Sequence, residues 1–585
     1  MASTTQDSVS IVALRGLTRS APPAAPARAP TQKGAMRAPR RSAKPTDIGA
    51  ALAASLGNQE MVLVHEEHFR RAPSPAKSTR MRSPRASAAL VPEAERPGMT
   101  LDVQLADGES AVVLLEEDGV FSWHVLGEDV TPPDVHRDVM RQRALKVRPA
   151  TKTPARPRTK RFAVNLTVSL VPPKPATKAA KAGGPVRARG LMSFIGDSIV
   201  GKVVARVFRF AAGKVVGAAV DHMERDIQPG MILMGNVDCT KWRLMERAEQ
   251  LDLPTDRPAR VMLWVHGTFS STMGSFGGLS QTAHGKAFLK AMLAKYDAVI
   301  GFDHQTLSLT PMQNASALLA RLEAQSWVKP PVFDVVSYSR GGEVFRSLVE
   351  YALPASGFRC TVDRAVFVAC TNNGTELARR KNWDRLIDHY TNLAAGACAV
   401  AGALTANSVG TRILGEAIKG LGAFVKALAM AALDDGGVPG VEAMDPSGSF
   451  VRELNDAQTG QPTPDNSYYC VITSNFDPDT AIRNGSATEV PAGFWMKVAD
   501  KPVDELMDKP NDLVVDVPSM SSIDAGVGTF VKKQYDFGTN GTVYHTVYFL
   551  QEQTTAELSD WLQVGAPAPE RALRATRARA RKARS

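Results

Sequence analysis

The part of the chain that most constrains its fold lies after Pro258, where short apolar runs alternate with helical ones. "RVMLWVHG" (260–267), "DAVIGFDH" (297–304), "PVFDVVSYS" (331–339), "RAVFVACT" (364–371) and "YYCVITSN" (468–475) are apolar along most of their length. A strand with one face in water would alternate, so these runs read as strands covered on both faces. Between them, "AFLKAMLAKY" and "MQNASALLARLEAQ" read as helices. Such alternation predicts an α/β domain built on a mostly parallel sheet. Ligands of open sheets of this kind bind beyond the carboxyl ends of the strands, where His266-Gly267 and Ser339 both fall.

One of those strand ends carries a chemical question. In "VVSYSRGGEV" (335–344) a serine stands between Tyr338 and Arg340, directly after an apolar strand and before the helical "EVFRSLVEY". A serine hydroxyl attacks a carbonyl only with a base within reach, an acid to orient that base, and donors for the oxyanion. The pattern Ser337-x-Ser339-x-Gly341-Gly342 resembles the nucleophile elbow of the α/β-hydrolase superfamily, with Ser337 in place of the usual first glycine. Small residues two positions to either side let the turn pack strand against helix.

The resemblance to the lipase branch of that superfamily extends over roughly residues 258 to 565 and implies the remaining roles. Upstream, "VMLWVHGTFSS" resembles the His-Gly loop whose next residue supplies an oxyanion amide, here Thr268, with the amide of Arg340 as the second donor. His266 itself reads as a structural histidine at a strand end. The superfamily order is Ser, acid, His, and of the ten histidines only His389 and His545 follow Ser339. His545 begins "HTVYF", which resembles the His-x-x-Tyr-Phe run of lipase-like proteins, and is the expected base. "DKPNDLVVDVPSM" resembles the Asn-Asp-x-Val-Val segment that carries the acid, which places it at Asp512; Asp477, just after "YYCVITSN", is the competing position. The apolar block 383–460, rich in Ala, Gly and Leu, is expected to form a helical cap inserted into a hydrolase domain spanning 251–566. The resemblance implies a serine hydrolase acting on a hydrophobic carboxylic ester and needing no metal or cofactor. An amidase, peptidase or transacylase with the same triad, and an inert scaffold of the same fold, are the rival readings.

The rest of the chain has a different texture. At 585 residues it is too long for one ordinary core. Residues 1–48 carry +6 and residues 571–585 carry +7, so residues 49–570 sum to −2 of the overall +11. The basicity therefore belongs to the termini, read as a disordered Ala/Pro/Arg-rich tail over 1–95 and a basic tail over 567–585. Such tails can meet an anionic membrane surface or another polyanion, but without interleaved aromatics they predict no specific nucleic-acid recognition. Residues 96–175 alternate apolar with polar and read as a small β module. In 188–250, the four-residue spacing of Ile195, Ile199, Val203 and Val207 predicts an amphipathic helical region. The five cysteines are scattered, with no CxxC pair, so neither a disulfide framework nor a zinc site is indicated. With no apolar run of transmembrane length and no signal-peptide core, the expected location is the cytoplasm, at most peripheral to a membrane; an organelle transit peptide is the other reading of the Arg- and Ser-rich start.

Overall fold

The computed structural model describes residues 9–13, 17–20, 53, 56, 61–71, 98–105, 109–117, 119–125, 160–167, 202–211, 224, 228–404, 425, 438–456, 468–477, 509–524 and 530–565. The basic tail 567–585 and most of the 1–95 segment fall outside these residues.

The N-terminal part forms two antiparallel sheets. Strands β1 (Val9–Ala13), β4 (Gly98–Leu105) and β7 (Lys160–Thr167) make a three-stranded sheet in the order β1-β4-β7. Strands β2 (Leu17–Arg19), β3 (Val62–Arg71), β5 (Glu109–Glu117), β6 (Val120–Val125) and β8 (Lys202–Ala211) make a five-stranded sheet in the order β2-β3-β8-β5-β6.

Two expectations are corrected here. Segment 1–95 is not wholly a tail: β1, β2 and β3 lie within it. Ile11 of β1 and Phe69 of β3 are buried, and their strands pair with partners far along the chain, β4 for β1 and β8 for β3, which an averaged composition does not register. Nor do the described residues of 188–250 form an amphipathic helix. Residues 202–211 are the strand β8, and β9 (Gly230–Met234) and β10 (Trp242–Leu244) follow. A spacing of four is an even number, so Val203 and Val207 share a face of a strand as readily as a face of a helix. The β-branched and aromatic content of "VVARVFRF" favours the strand. Lys202 and Arg206, basic residues of this strand, find acids on neighbouring strands. Arg206 is buried between Glu66 and Glu116, each at 2.7 Å, and Lys202 reaches Glu116 at 3.0 Å.

The larger C-terminal part is built on an eight-stranded sheet that adds β11 (Arg260–Val265), β12 (Ala298–Asp303), β13 (Val332–Tyr338), β14 (Thr361–Val368), β15 (Tyr468–Phe476) and β16 (Val531–Asn540), in the order β10-β9-β12-β11-β13-β14-β15-β16. The six strands β11 to β16 are mutually parallel, while β9 and β10 pair antiparallel at one edge. All five runs read from the sequence as buried strands are here. Along β11, Met262 and Trp264 enter one core, and Val261, Leu263 and Val265 enter the core on the other face. Both faces are therefore covered, which explains why the strand reads as one apolar run.

Helices α1 (Ala283–Lys295), α2 (Pro311–Glu323) and α3 (Gly341–Arg346) follow β11, β12 and β13, and α4 (Trp383–Leu404) and α5 (Glu552–Trp561) come later. Within the expected cap 383–460, α4 and short helices at Pro439–Glu442 and Ser449–Leu454 are described. Among the described residues no helix is long and apolar enough to cross a membrane. The chain runs from β11 to β12 on one side, then returns to β13 on the other. That reversal falls at the carboxyl ends of β11 and β13, the position where sheets of this kind bind ligands.

Candidate active site

Ser339 lies at this point, on the turn between β13 and α3, with φ at +54°. A side chain in this left-handed region is strained, and a strained strand-to-helix turn holds a serine above the sheet. Close packing keeps the turn tight. A Cβ on Gly341 would lie 2.3 Å from the Val265 carbonyl oxygen, so only glycine lets α3 start against β11. Ser337, in the place of the motif's first glycine, is buried with its Oγ 3.6 Å from Cys370 Sγ.

The loop after β11 presses on the same point: a Cβ on Gly267 would come within 2.6 Å of the Ser339 Cβ. Thr268 is thereby brought beside the serine. Among the described residues neither the Thr268 amide nor the Arg340 amide donates to an acceptor of the fold, so both donors stay available. His266 is bonded into this loop. Its Nδ1 faces the Gly267 carbonyl at 2.8 Å, its Nε2 accepts from the His304 amide at 3.1 Å, and its ring stacks on His304 at 4.0 Å. The buried Arg340 side chain donates to the carbonyls of Gly440 (3.0 Å) and Leu309 (2.6 Å), pinning the loops around the elbow. Burial lowers its guanidinium to about 10, against the opposing charges of Glu343 and Glu224.

His545 follows β16 and opens a 3-10 turn over His545–Leu550. Its Nε2 is 3.0 Å from Ser339 Oγ, and its Nδ1 is 2.8 Å from Asp512 Oδ2. With Nδ1–H donated to the carboxylate, Nε2 is left to accept the serine proton. The backbone fixes the pair as well: the His545 amide donates to the Asp512 carbonyl at 3.0 Å, and Tyr338 Oη donates to the His545 carbonyl at 2.6 Å. Asp512 Oδ1 accepts the amides of Val514 (3.1 Å) and Val515 (2.9 Å), while Oδ2 also accepts the Tyr548 hydroxyl at 3.2 Å. Four donors thus satisfy a carboxylate that is 0% exposed.

The structure brings together all five residues that the sequence singled out: Ser339, His545, Asp512, Thr268 and Arg340. Asp512 is far along the chain from β15, yet the Phe476 amide donates to the Asn511 carbonyl at 2.8 Å and docks its loop at that strand's end. Asp477 sits at the same strand end, its amide donating to the Asn540 carbonyl, but the imidazole Nδ1 is taken by Asp512. His389 stays outside the array, and burial pushes its imidazole down to about 4.

Two tyrosines complete the surroundings. Tyr548 is the tyrosine of the "HTVYF" run, so the motif contained it unread. Tyr390, on α4, has no sequence signal; its ring is edge-on to Phe269 at 5.0 Å and to His545 at 6.0 Å. Among the described residues no group of three or more His, Cys, Asp or Glu is placed to hold a metal.

Glu343, on α3, is fully buried, and neither carboxyl oxygen has a partner in hydrogen-bond geometry among the described residues. Burial pushes it up to about 8, against Arg340, Thr371 and Arg346. The folded chain therefore holds this proton when the unfolded chain, near 4.5, has released it. Its contribution is fully present below pH 4.5 and is lost as pH rises through 8, at up to about 1.4 kcal/mol per pH unit. Glu343→Gln is expected to flatten the pH dependence of the urea midpoint across that window and to raise stability at pH 8 relative to wild type; an unchanged slope would refute the assignment.

Fold and site define a mixed α/β protein with a hydrogen-bonded Ser-His-Asp array at the carboxyl edge of a mostly parallel sheet. The chain belongs to the family described as "Domain of unknown function (DUF7379)", which matches residues 229–563. A second family, "Domain of unknown function (DUF7362)", matches residues 19–210, the part that carries the N-terminal sheets. No curated protein matches the chain.

Among solved structures, a phospholipase from Legionella pneumophila is 13% identical, with 45% of each chain covered and a TM-score of 0.26. A lipase from Bacillus licheniformis in propeptide form is 12% identical over 55% of this chain and 53% of that one, with a TM-score of 0.28. A lipase from Pelosinus fermentans is 13% identical over 53% of this chain and 100% of that one, with a TM-score of 0.32. The chain spans about half the length of the first two. At these scores no property of the present chain rests on them.

Proposed function

We propose that this chain is a serine hydrolase of the α/β-hydrolase type that cleaves carboxylic esters, with a lipid or acyl ester as its substrate class. The observation that carries the reading is the unbroken hydrogen-bond line from Ser339 Oγ through His545 to Asp512, on a serine held at positive φ. Ser339 Oγ attacks the ester carbonyl while His545 Nε2 takes its proton. The oxyanion is received by the amides of Thr268 and Arg340, which need no reorganisation as charge develops. His545 returns the proton to the leaving alcohol, then activates the water that releases the acid. Asp512 holds the imidazole in the required tautomer and stabilises its cation. Phe269 and Tyr390, with Met444 in contact with Thr268, give the approach to the serine an apolar and aromatic wall, which supports a hydrophobic acyl group.

The test is a fluorophosphonate probe followed by peptide mapping, beside nitrophenyl esters of rising chain length and the matching anilides. The expected outcome is an adduct on the peptide carrying Ser339, with esters preferred over anilides. An adduct elsewhere sinks the site, and an anilide preference sinks the ester reading in favour of an amidase.

A further inference from the structure

The line of hydrogen bonds leaves one polar group at the reaction centre without a role. Tyr390 projects from α4 into the site, its ring beside His545 and Phe269, and the Ser339 and Thr268 side chains are among the groups that act on its phenol. These are the two residues between which an oxyanion would form: one supplies the attacking oxygen and the other an oxyanion amide. The ring is clamped edge-on between Phe269, at an interplanar angle of 86°, and His545, at 81°. Burial, the largest influence, raises the phenol above its ordinary range, so it stays protonated and able to donate.

The helix that carries Tyr390 is itself held in place. Asn392 Oδ1 accepts the Phe121 amide at 2.8 Å and Nδ2 donates to the Phe121 carbonyl at 2.7 Å, so its amide group pairs with β6 as another strand would. Asp388 Oδ1 accepts the Trp123 amide at 2.8 Å, and Thr391 Oγ1 accepts Trp123 Nε1 at 2.9 Å. At about 100° per residue, Asp388 and Asn392 each lie about 200° around the helix from Tyr390. One face is thus fixed to the N-terminal sheet while the opposite face delivers the phenol to the serine. Thr546 Oγ1 adds a bond at 3.2 Å to the Leu393 carbonyl, tying α4 to the turn of His545.

We propose that Tyr390 is a catalytic residue, its hydroxyl serving as a third oxyanion donor beside the Thr268 and Arg340 amides. This rests on the serine-hydrolase reading above. As the bond from Ser339 Oγ to the carbonyl carbon forms, the carbonyl π pair moves onto oxygen and the serine proton goes to His545 Nε2. The new oxyanion accepts the Tyr390 O–H as a hydrogen bond, and no proton leaves the phenol. Because the interaction strengthens only as charge develops, it lowers the barrier without tightening the ground-state complex.

The experiment is Tyr390→Phe in the full chain, read with nitrophenyl butyrate and with an alkyl trifluoromethyl ketone whose hemiketal mimics the tetrahedral state. Loss of one oxyanion donor is expected to lower kcat on the order of 10²-fold with KM unchanged, and to weaken the ketone by a similar factor. An unchanged kcat overturns the proposal. A raised kcat also overturns it, and would make the phenol a plug. If the Phe variant does not fold, 3,5-difluorotyrosine at 390 keeps the shape with a more acidic phenol; it should tighten the ketone, and no change overturns the proposal. Fluorophosphonate labelling of wild type is run alongside. No labelling of Ser339 sinks the hydrolase reading and this proposal together, whereas intact labelling with normal Tyr390→Phe kinetics sinks the tyrosine alone.

Discussion

Asp512→Asn is expected to lower kcat on the order of 10⁴-fold, while Asp477→Asn leaves it near the wild-type value. The asymmetry follows from which atom faces the imidazole. Asp512 Oδ2 accepts from His545 Nδ1 at 2.8 Å, and an amide nitrogen in that position would present a donor instead. The ring would then be drawn to the opposite tautomer, with its proton on Nε2, where it cannot take one from Ser339. The two backbone amides on Oδ1 and the Tyr548 hydroxyl can still hold the Asn side chain in place, so the loss should appear in kcat and not in expression or melting temperature. Steady-state kinetics on one nitrophenyl ester decides the matter. A fall for Asp477→Asn as deep as that for Asp512→Asn would overturn the assignment of the acid.

Ser339→Ala should abolish fluorophosphonate labelling and reduce turnover by on the order of 10⁶-fold, the loss seen when the nucleophile of such a unit is removed. The substitution deletes one hydroxyl whose partner is His545 Nε2, so its effect on stability should stay within about 1 to 3 kcal/mol. Alanine at φ +54° is as strained as serine, and the elbow itself is set by Gly341, Gly342 and Gly267. A folded Ser339→Ala protein that still accepts the probe at full stoichiometry would place the nucleophile elsewhere.

Particular residues show what could be read in advance and what could not. The strands of the parallel sheet were legible because double burial leaves an apolar run with no alternation, as in "VMLWV". The strained turn at Ser339 was legible because it is local: strand, serine and glycines are adjacent in sequence. Asp512 was harder, since its place depends on the Phe476 amide bonding to the Asn511 carbonyl across a long stretch of chain. Tyr390 was invisible, because nothing near it in sequence differs from an ordinary apolar helix and its role depends on what lies across the site. The misreading of β8 has another cause. The four-residue spacing of Val203 and Val207 fits a strand face as well as a helix face, and Glu66 and Glu116, the partners of Arg206, belong to strands distant in sequence.

The amide of Asn392 has one more consequence. A terminal strand such as β6 offers a row of unpaired backbone groups to any neighbouring chain, a recognised route to self-association. Asn392 and Asp388 occupy that row at Phe121 and Trp123 in the folded protein. Lifting α4 away from Ser339, which is only 1% exposed, would break the four bonds to Phe121 and Trp123. At about 1 kcal/mol each, those four bonds alone oppose the movement by about 4 kcal/mol, before the burial of Leu386, Ile387 and Leu393 is counted. Drawing Tyr390 away from Ser339 and baring an unpaired sheet edge would then be the same event, and one set of bonds opposes both.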